Sequence, residues 1–273
     1  MAIKPNVFKK LTKALANKVV AGHYEVAFAR SQAEIEASQE LRYKVLFKEG
    51  NGKITDEMLE SKREVDQWDE YGYHVIVIDK RHGDIVGCVR FVSTNKLPKG
   101  MKSYTEQYFD MDKLLSNYQN PLELSRACVS AGKRDGVVLL LIWKFAMEFI
   151  NQSGFDMMFG CASFSSTNYM VHAPILHYLR ENNLAPAELM PKPIVDSHIK
   201  IQDIDFDEHS EENKKFFGKR LKVPTLLRGY LKLGAKVSDS AIIDPEFNTT
   251  FLCIYVDSEK MQSIDHVLVK NKD

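Results

Sequence analysis

The sequence predicts a mixed α/β fold, and three observations carry that prediction. Runs with the two-residue alternation of strands recur from Tyr24 to Asp257. Longer runs with helical spacing lie between them. The stretch Pro121 to Phe149 contains both patterns joined by a short glycine-bounded loop. Its strand alternates through Leu122, Glu123, Leu124 and Ser125, then slips once between Arg126 and Ala127, which predicts a β-bulge. From Val137 an apolar run continues through Trp143 to Phe149, too long for one strand and suited to a buried helix. The loop Gly132 to Gly136 therefore opens a helix N-terminus.

The other elements follow in order. Residues 3–20 place Phe8, Leu11, Leu15 and Val19 on one helical face with lysines around the rest. Tyr24 to Arg30 reads as a strand, and Ser31 caps a helix with Glu34 completing a capping box, ending near Gly50. The polar, acidic loop Asn51 to Tyr71 carries Glu64, Asp66 and Asp69. Tyr73 to Asp79 and Asp84 to Ser93 form a hairpin, with Arg90 inside its second strand. Asn95 to Asn120 is an irregular but apolar excursion with two short helical turns. Phe155 to Phe164 is a strand, and Ser166 to Arg180 a helix whose start Pro174 shifts. Ile194 to Phe206 is extended, Val223 to Val237 holds a helix between Pro224 and Gly234, and Ile242 to Asp257 holds two last strands. The expected organisation is a basic amphipathic helix over 1–22, one domain over 23–257 with a charged insertion near 203–220, and a tail over 258–273.

Composition is that of an ordinary globular chain: 273 residues, 44% hydrophobic, 27% charged and formal net charge zero. Zero net charge predicts no nucleic-acid partner. The four cysteines, Cys88, Cys128, Cys161 and Cys253, have neither metal-type nor redox-type spacing, so we expect reduced buried thiols and no metal. The longest apolar run, Val137 to Trp143, is well short of the roughly 18 residues a membrane span needs. Lys4, Lys9, Lys10, Lys13 and Lys18 all precede the first acidic residue, Glu25. Such a helix either lies on an anionic membrane or docks on its own domain.

The segments LRYKVLF (Leu41 to Phe47), EVDQWDEYGYHVIVID (Glu64 to Asp79), VGCVRF (Val86 to Phe91), LELSRACV (Leu122 to Val129) and FGCASF (Phe159 to Phe164), with the C-terminal PTLLRGYLKLGAKVSDSAIIDPEFNTTFLCIYV, together resemble the ornithine-lipid N-acyltransferase family. The same arginines and carboxylates are similar to those of acyl-homoserine-lactone synthases and long-chain N-acyl amino acid synthases. The resemblance implies a GNAT-like fold with a central, mostly antiparallel sheet flanked by helices. It also implies transfer of a (3-hydroxy)fatty acyl group from an acyl carrier protein thioester to the α-amino group of an amino acid such as ornithine, giving a lyso-aminolipid. The alternatives are an acyl-homoserine-lactone or N-acyl amino acid synthase, or a non-catalytic lipid-binding or membrane-interacting protein on this fold. The location expected is cytoplasmic, peripheral on the inner face of the membrane. GNAT enzymes that use coenzyme A hold its pyrophosphate with spaced glycines, and AGKRDGVV lacks that spacing. The carrier-protein thioester is thus favoured over coenzyme A, and no cofactor is expected besides the donor.

Thioester aminolysis needs a neutral amine, a polarised carbonyl and a place for the acyl chain. Glu123 is the candidate base or amine-orienting group, or else the ion-pair partner of Arg90 or Arg126. Glu64, Asp66 and Asp69 either bind the acceptor's cationic groups or are solvated loop carboxylates. Arg42, Arg90 and Arg126 can fix that loop or receive the acceptor's carboxylate. His74 is a proton relay or a structural strand histidine. Backbone amides at the bulge near Cys128 and Val129 would meet the oxyanion, and Lys133, Arg134 and the amides leading into Gly136 the donor's phosphate. Phe109, Met111, Phe145, Met157, Met158, Phe159 and Phe164 line an acyl channel or simply fill the core.

Overall fold

The computed structural model describes residues 18–205 and 223–261. Most of the expected N-terminal helix, most of the charged insertion and the end of the tail lie outside them. In chain order the elements are β1 (Val19–Ala21), β2 (Tyr24–Phe28), α1 (Gln32–Arg42), α2 (Asp56–Ser61), β3 (Tyr73–Asp79), β4 (Asp84–Ser93), β5 (Phe109–Asp110), α3 (Asp112–Leu115) and β6 (Pro121–Val129). They continue with α4 (Val137–Ser153), β7 (Met157–Ser165), α5 (Ala173–Asn183), β8 (Lys192–Pro193), β9 (His198–Lys200), α6 (Thr225–Lys232), β10 (Lys236–Asp244) and β11 (Thr249–Asp257). Two compact units result, one taking the chain up to Ser103 plus Leu122–Asp156, the other Tyr104–Pro121 plus the chain from Met157.

In the first unit the strands run β1-β2-β3-β4-β6, every neighbouring pair antiparallel. Helices cover both faces. On one, α4 sets Phe145 and Phe149 edge-on against Phe28 at 4.9 and 5.0 Å, and Phe149 stacks on Phe91 at 5.7 Å. A Cβ on Gly87 would come within 2.6 Å of Val138, so α4 packs this closely because that residue is glycine. On the other face lies α1. Ser31 caps it by accepting from the Glu34 amide, but the Glu34 carboxylate reaches the amide of Arg30, one residue before the cap. After Arg42 the helix widens into a π-helical turn, Tyr43–Glu49, a form often found at functional sites.

Two local expectations near the start of the chain need correction. Val19–Ala21 is a strand paired with Tyr24–Val26 rather than the end of a helix: Val19 and Val20 are β-branched, and Gly22 at φ 59° makes the tight turn back. The acidic loop contains a helix, α2, because the Thr55 hydroxyl caps the Met58 amide.

The second unit is built on β7-β11-β10-β9, again all antiparallel, with β5 and β8 as a separate pair. Its core gathers Phe109, Met111, Met157, Phe159 and Phe251. Pro174 enters at the first turn of α5, which starts at Ala173 rather than Ser166 because proline lacks the donor an interior position needs. α6 is bounded by Pro224 and Gly234 as expected, the glycine at φ 86°. β10 begins at Lys236, before the expected Ile242, with a bulge between Val237 and Ala241 that interrupts the apolar pattern.

Candidate active site

On the α1 side of the first unit, three arginines and three carboxylates meet out of water. Arg42, the last residue of α1, donates through Nε to Glu64 and through Nη1 and Nη2 to Asp69 at 2.7 and 2.8 Å, and Nη2 also reaches the Glu64 carbonyl at 2.6 Å. Gln39, one turn earlier, donates to Asp69 at 3.0 Å. Arg90 on β4 donates through Nη1 to Asp66 and to Asp69, the latter at 2.6 Å, and through Nε to the Ser125 hydroxyl at 3.2 Å. Arg126 pairs with Glu64 at 3.0 Å and Asp66 at 2.9 Å. Arg42 and Arg90 are each 1% exposed and Glu64 2%. Charges so far from water persist only because each has several opposite partners. Burial works against the charge of both Asp69 and Arg42, yet the Arg42 bonds hold Asp69 well below the carboxylate range, and Glu64 with Asp69 raises Arg42 above its usual value. Arg90 Nη2 alone among these guanidinium nitrogens is buried without a hydrogen-bond partner.

The bulge is what brings Arg126 into this group. Cys88 faces Cys128 and Arg90 faces Ser125, so Arg126 and Ala127 together oppose Val89. Strict alternation would send Arg126 to the α4 face, opposite Ser125. Instead its backbone turns left-handed, φ 57°, and both residues reach the same network. A non-glycine residue held there costs about 1–3 kcal/mol, sustained here by the two carboxylate contacts. Glu123 sits on the face of Arg90 and Ser125, opposite Val92, and is fully buried. Pairing resumes at Cys128 and at Val129, which faces Gly87, so the break lies at Arg126 and Ala127, ahead of the two residues expected to carry it.

His74 is the cross-strand partner of Arg90, and its Nε2 lies 3.1 Å from the Asp69 carbonyl. A carbonyl only accepts, so the ring proton is on Nε2. Burial, aided by the charges of Arg42 and Arg90, lowers its pKa from 6.5 against the pull of Asp69. A group whose folded pKa is depressed below its unfolded value gives stability that is complete above pH 6.5 and lost as pH falls beneath it. Asp69 is depressed too, but its effect sets in only below its ordinary 3.8. Urea unfolding is therefore expected to show stability declining below pH 6.5 by up to about 1.4 kcal/mol per pH unit for this group. His172 shifts in the same direction while half-buried, so the difference between wild type and His74→Gln isolates the His74 share.

The loop before α4 is ionically committed at rest. Lys133 Nζ lies 3.1 Å from Asp79, Arg134 donates to the Val129 carbonyl at 2.9 Å and to Glu49 at 2.5 Å, and the Asp135 carboxylate accepts from the Val137 amide at 3.1 Å. Gly136 takes φ 97°, a turn that favours glycine. Beside Lys133 a groove of about 600 Å³ runs between α1 and the β3–β4 turn; its rim carries Glu34, Glu40 and Asp84 as well as Lys44, so it has no charge bias toward an anion. The Cys128 thiol is buried against Cys88, and that contact together with burial pushes its pKa up against the pull of Arg42, the reverse of what a nucleophile requires. Of the candidate channel residues, Phe109, Met111, Met157 and Phe159 belong to the core of the second unit and Phe145 to that of the first. Met158 and Phe164 are buried on the same strand as Met157 and Phe159.

A family model described as "Acetyltransferase (GNAT) domain" matches residues 41–144, the span that contains the three arginines and three carboxylates of the network. The antiparallel sheets flanked by helices, with that match, define a GNAT-type acyltransferase fold. It is 33% identical over 250 residues to an L-ornithine N(alpha)-acyltransferase of Brucella abortus, covering 89% of this chain and 87% of that relative. Proteins of the same name from Rhizobium meliloti (30% identity; 90% of this chain, 84% of that one) and Rhodobacter capsulatus (28%; 87% and 91%) are similar at comparable length. The chain belongs to the L-ornithine N(alpha)-acyltransferase family.

Proposed function

We propose that this protein forms an amide between a (3-hydroxy)fatty acyl group, delivered as an acyl carrier protein thioester, and the α-amino group of ornithine. The observation that carries the reading is similarity to L-ornithine N(alpha)-acyltransferases over most of both chains, joined to a site whose charges suit an amino-acid acceptor. Glu123 receives the proton that the α-ammonium must lose before it attacks, directly or through water. The arginine–carboxylate network is a scaffold for this step. Its carboxylates are spoken for by Arg42, Arg90 and Arg126, while the unbonded Nη2 of Arg90 has a donor to offer the acceptor's carboxylate. The amides of Arg126 and Ala127 are nearest the break in pairing and are our candidates for the developing oxyanion.

The donor's phosphate would meet Lys133 and Arg134 by exchange. The Arg134–Glu49 pair is nearly half exposed on both sides, and such pairs contribute only about 0–1 kcal/mol, so a phosphate can displace Glu49 readily. Asp79 keeps Arg81 at 2.7 Å if Lys133 leaves it. Among the described residues no helix is long and apolar enough to cross a membrane. Peripheral contact with the cytoplasmic membrane through the segment preceding β1 remains part of the proposal, supported by its lysine-rich amphipathic sequence pattern. Mass spectrometry of lipids from cells expressing the chain is expected to show a new amide-linked 3-hydroxyacyl ornithine. A product on another amine would move the chain to a different acceptor, and no new amide would remove the proposed activity.

A further inference from the structure

We propose that Cys88 and Cys128 are a disulfide-forming pair whose closure slows acyl transfer. Forty residues apart in sequence, they are direct register partners on β4 and β6, their sulfurs 3.4 Å from each other and both thiols free. Directly opposed residues on antiparallel strands have Cα atoms about 4.5–5.5 Å apart, inside the range a disulfide spans, so the bond can close without rebuilding the backbone. Closure would bring the sulfurs to about 2.05 Å. The pair also touches the site. The Cys88 thiol lies 3.8 Å from the carbonyl of Arg126, the residue whose left-handed backbone turns its guanidinium onto Glu64 and Asp66, and 3.8 Å from the carbonyl of Ser38 on α1. Closure pulls β4 toward β6 two residues from both Arg90 and Arg126.

Both cysteines are buried, which favours a small oxidant, hydrogen peroxide. One sulfur attacks a peroxide oxygen, the O–O bond breaks, and a sulfenic acid and water result. The second sulfur then attacks the sulfenic sulfur, the S–S bond forms as the S–O bond breaks, and a second water leaves with the remaining thiol proton. Two thiols and one peroxide thus give one disulfide and two waters, and a dithiol reductant reverses the change.

Cys161 and Cys253 also face each other, on β7 and β11, with the Cys161 sulfur 3.6 Å from the Thr105 hydroxyl, so the test must identify which sulfurs join. The full chain is treated with hydrogen peroxide, remaining thiols are alkylated, and peptides are mapped without reduction while acylation is assayed in parallel. The expected result is a Cys88–Cys128 linked peptide lighter by two hydrogens than the separate thiol peptides. Acyl transfer falls about tenfold, as small displacements in a positioned site produce, and dithiothreitol restores it. Cys88→Ala keeps its activity through the same treatment. The proposal is overturned by no linkage, by linkage of Cys161 to Cys253 alone, by linkage with unchanged activity, or by equal peroxide loss in Cys88→Ala. Only the activity readout rests on the proposed acylation; the linkage is read by mass even if another acceptor is used.

Discussion

Glu123→Gln is expected to lower kcat/KM by about 10²–10⁴ for 3-hydroxyacyl carrier protein and ornithine, the range spanned by removal of a positioned general base. Glutamine keeps the volume and most of the hydrogen-bonding capacity of a side chain that is fully buried on β6, but it cannot take a proton. A packing role would survive the change and a basic role would not. The pH–rate profile separates a base from an orienting group: loss of a base flattens the acidic limb of kcat/KM, whereas loss of an orienting contact raises KM for ornithine and leaves the limb in place. Cooperative unfolding monitored by circular dichroism establishes that the variant is native. Activity close to wild type would take Glu123 out of the chemistry and return it to the ion-pair role.

What the sequence revealed and what it hid divide along a physical line. Signals that act within one turn or one strand were readable: Ser31 with Glu34, Pro174, Pro224 with Gly234, and the slip in alternation between Arg126 and Ala127 that the structure resolves as a bulge. Each depends on residues a few positions apart. The partners within the site do not. Arg42 meets carboxylates 22 and 27 residues away and Arg126 meets Glu64 at 62, and only the strand register and the path of the acidic loop decide those pairings. The residue types offered arginines fixing the acidic loop as one of two roles; they could not choose it over binding the acceptor's carboxylate.

Two further features, the clearance at Gly72 and the pairing of Cys88 with Cys128, were missed for the same reason. Gly72 carries no motif, yet a Cβ there would come within 2.6 and 2.7 Å of the Arg90 side chain, so a glycine is what lets Arg90 pass between the strand and the loop. Cys88 and Cys128 share no sequence spacing because β4 and β6 are joined by a long excursion, and antiparallel register alone sets them opposite. The π-helical turn after Arg42, which buries Tyr43 and Phe47, is likewise silent in sequence.

Arg42→Met is expected to be the most destabilising of these changes, by about 3–5 kcal/mol in urea unfolding at neutral pH. Methionine has a similar reach and suits an apolar site, so the loss reflects charge and hydrogen bonding more than volume. The substitution leaves Glu64 to Arg126 alone among its ionic partners and Asp69 to Arg90 and Gln39, three buried carboxylates against two arginines. Because Arg42 is what depresses the Asp69 pKa most, its benefit is present above the carboxylate's ordinary value and disappears as pH falls through the folded one. The gap between wild type and variant should therefore be widest near neutrality and narrow in acid. Arg42→Lys should lose less, since a point charge restores the ionic balance but cannot supply the four bonds that Nε, Nη1 and Nη2 make. A deficit below about 1 kcal/mol in Arg42→Met, flat with pH, would mean that water reaches the network and that its pairs behave as surface pairs do. Glu123 and Arg90 would then work in a wetter, looser site than the buried arrangement defines.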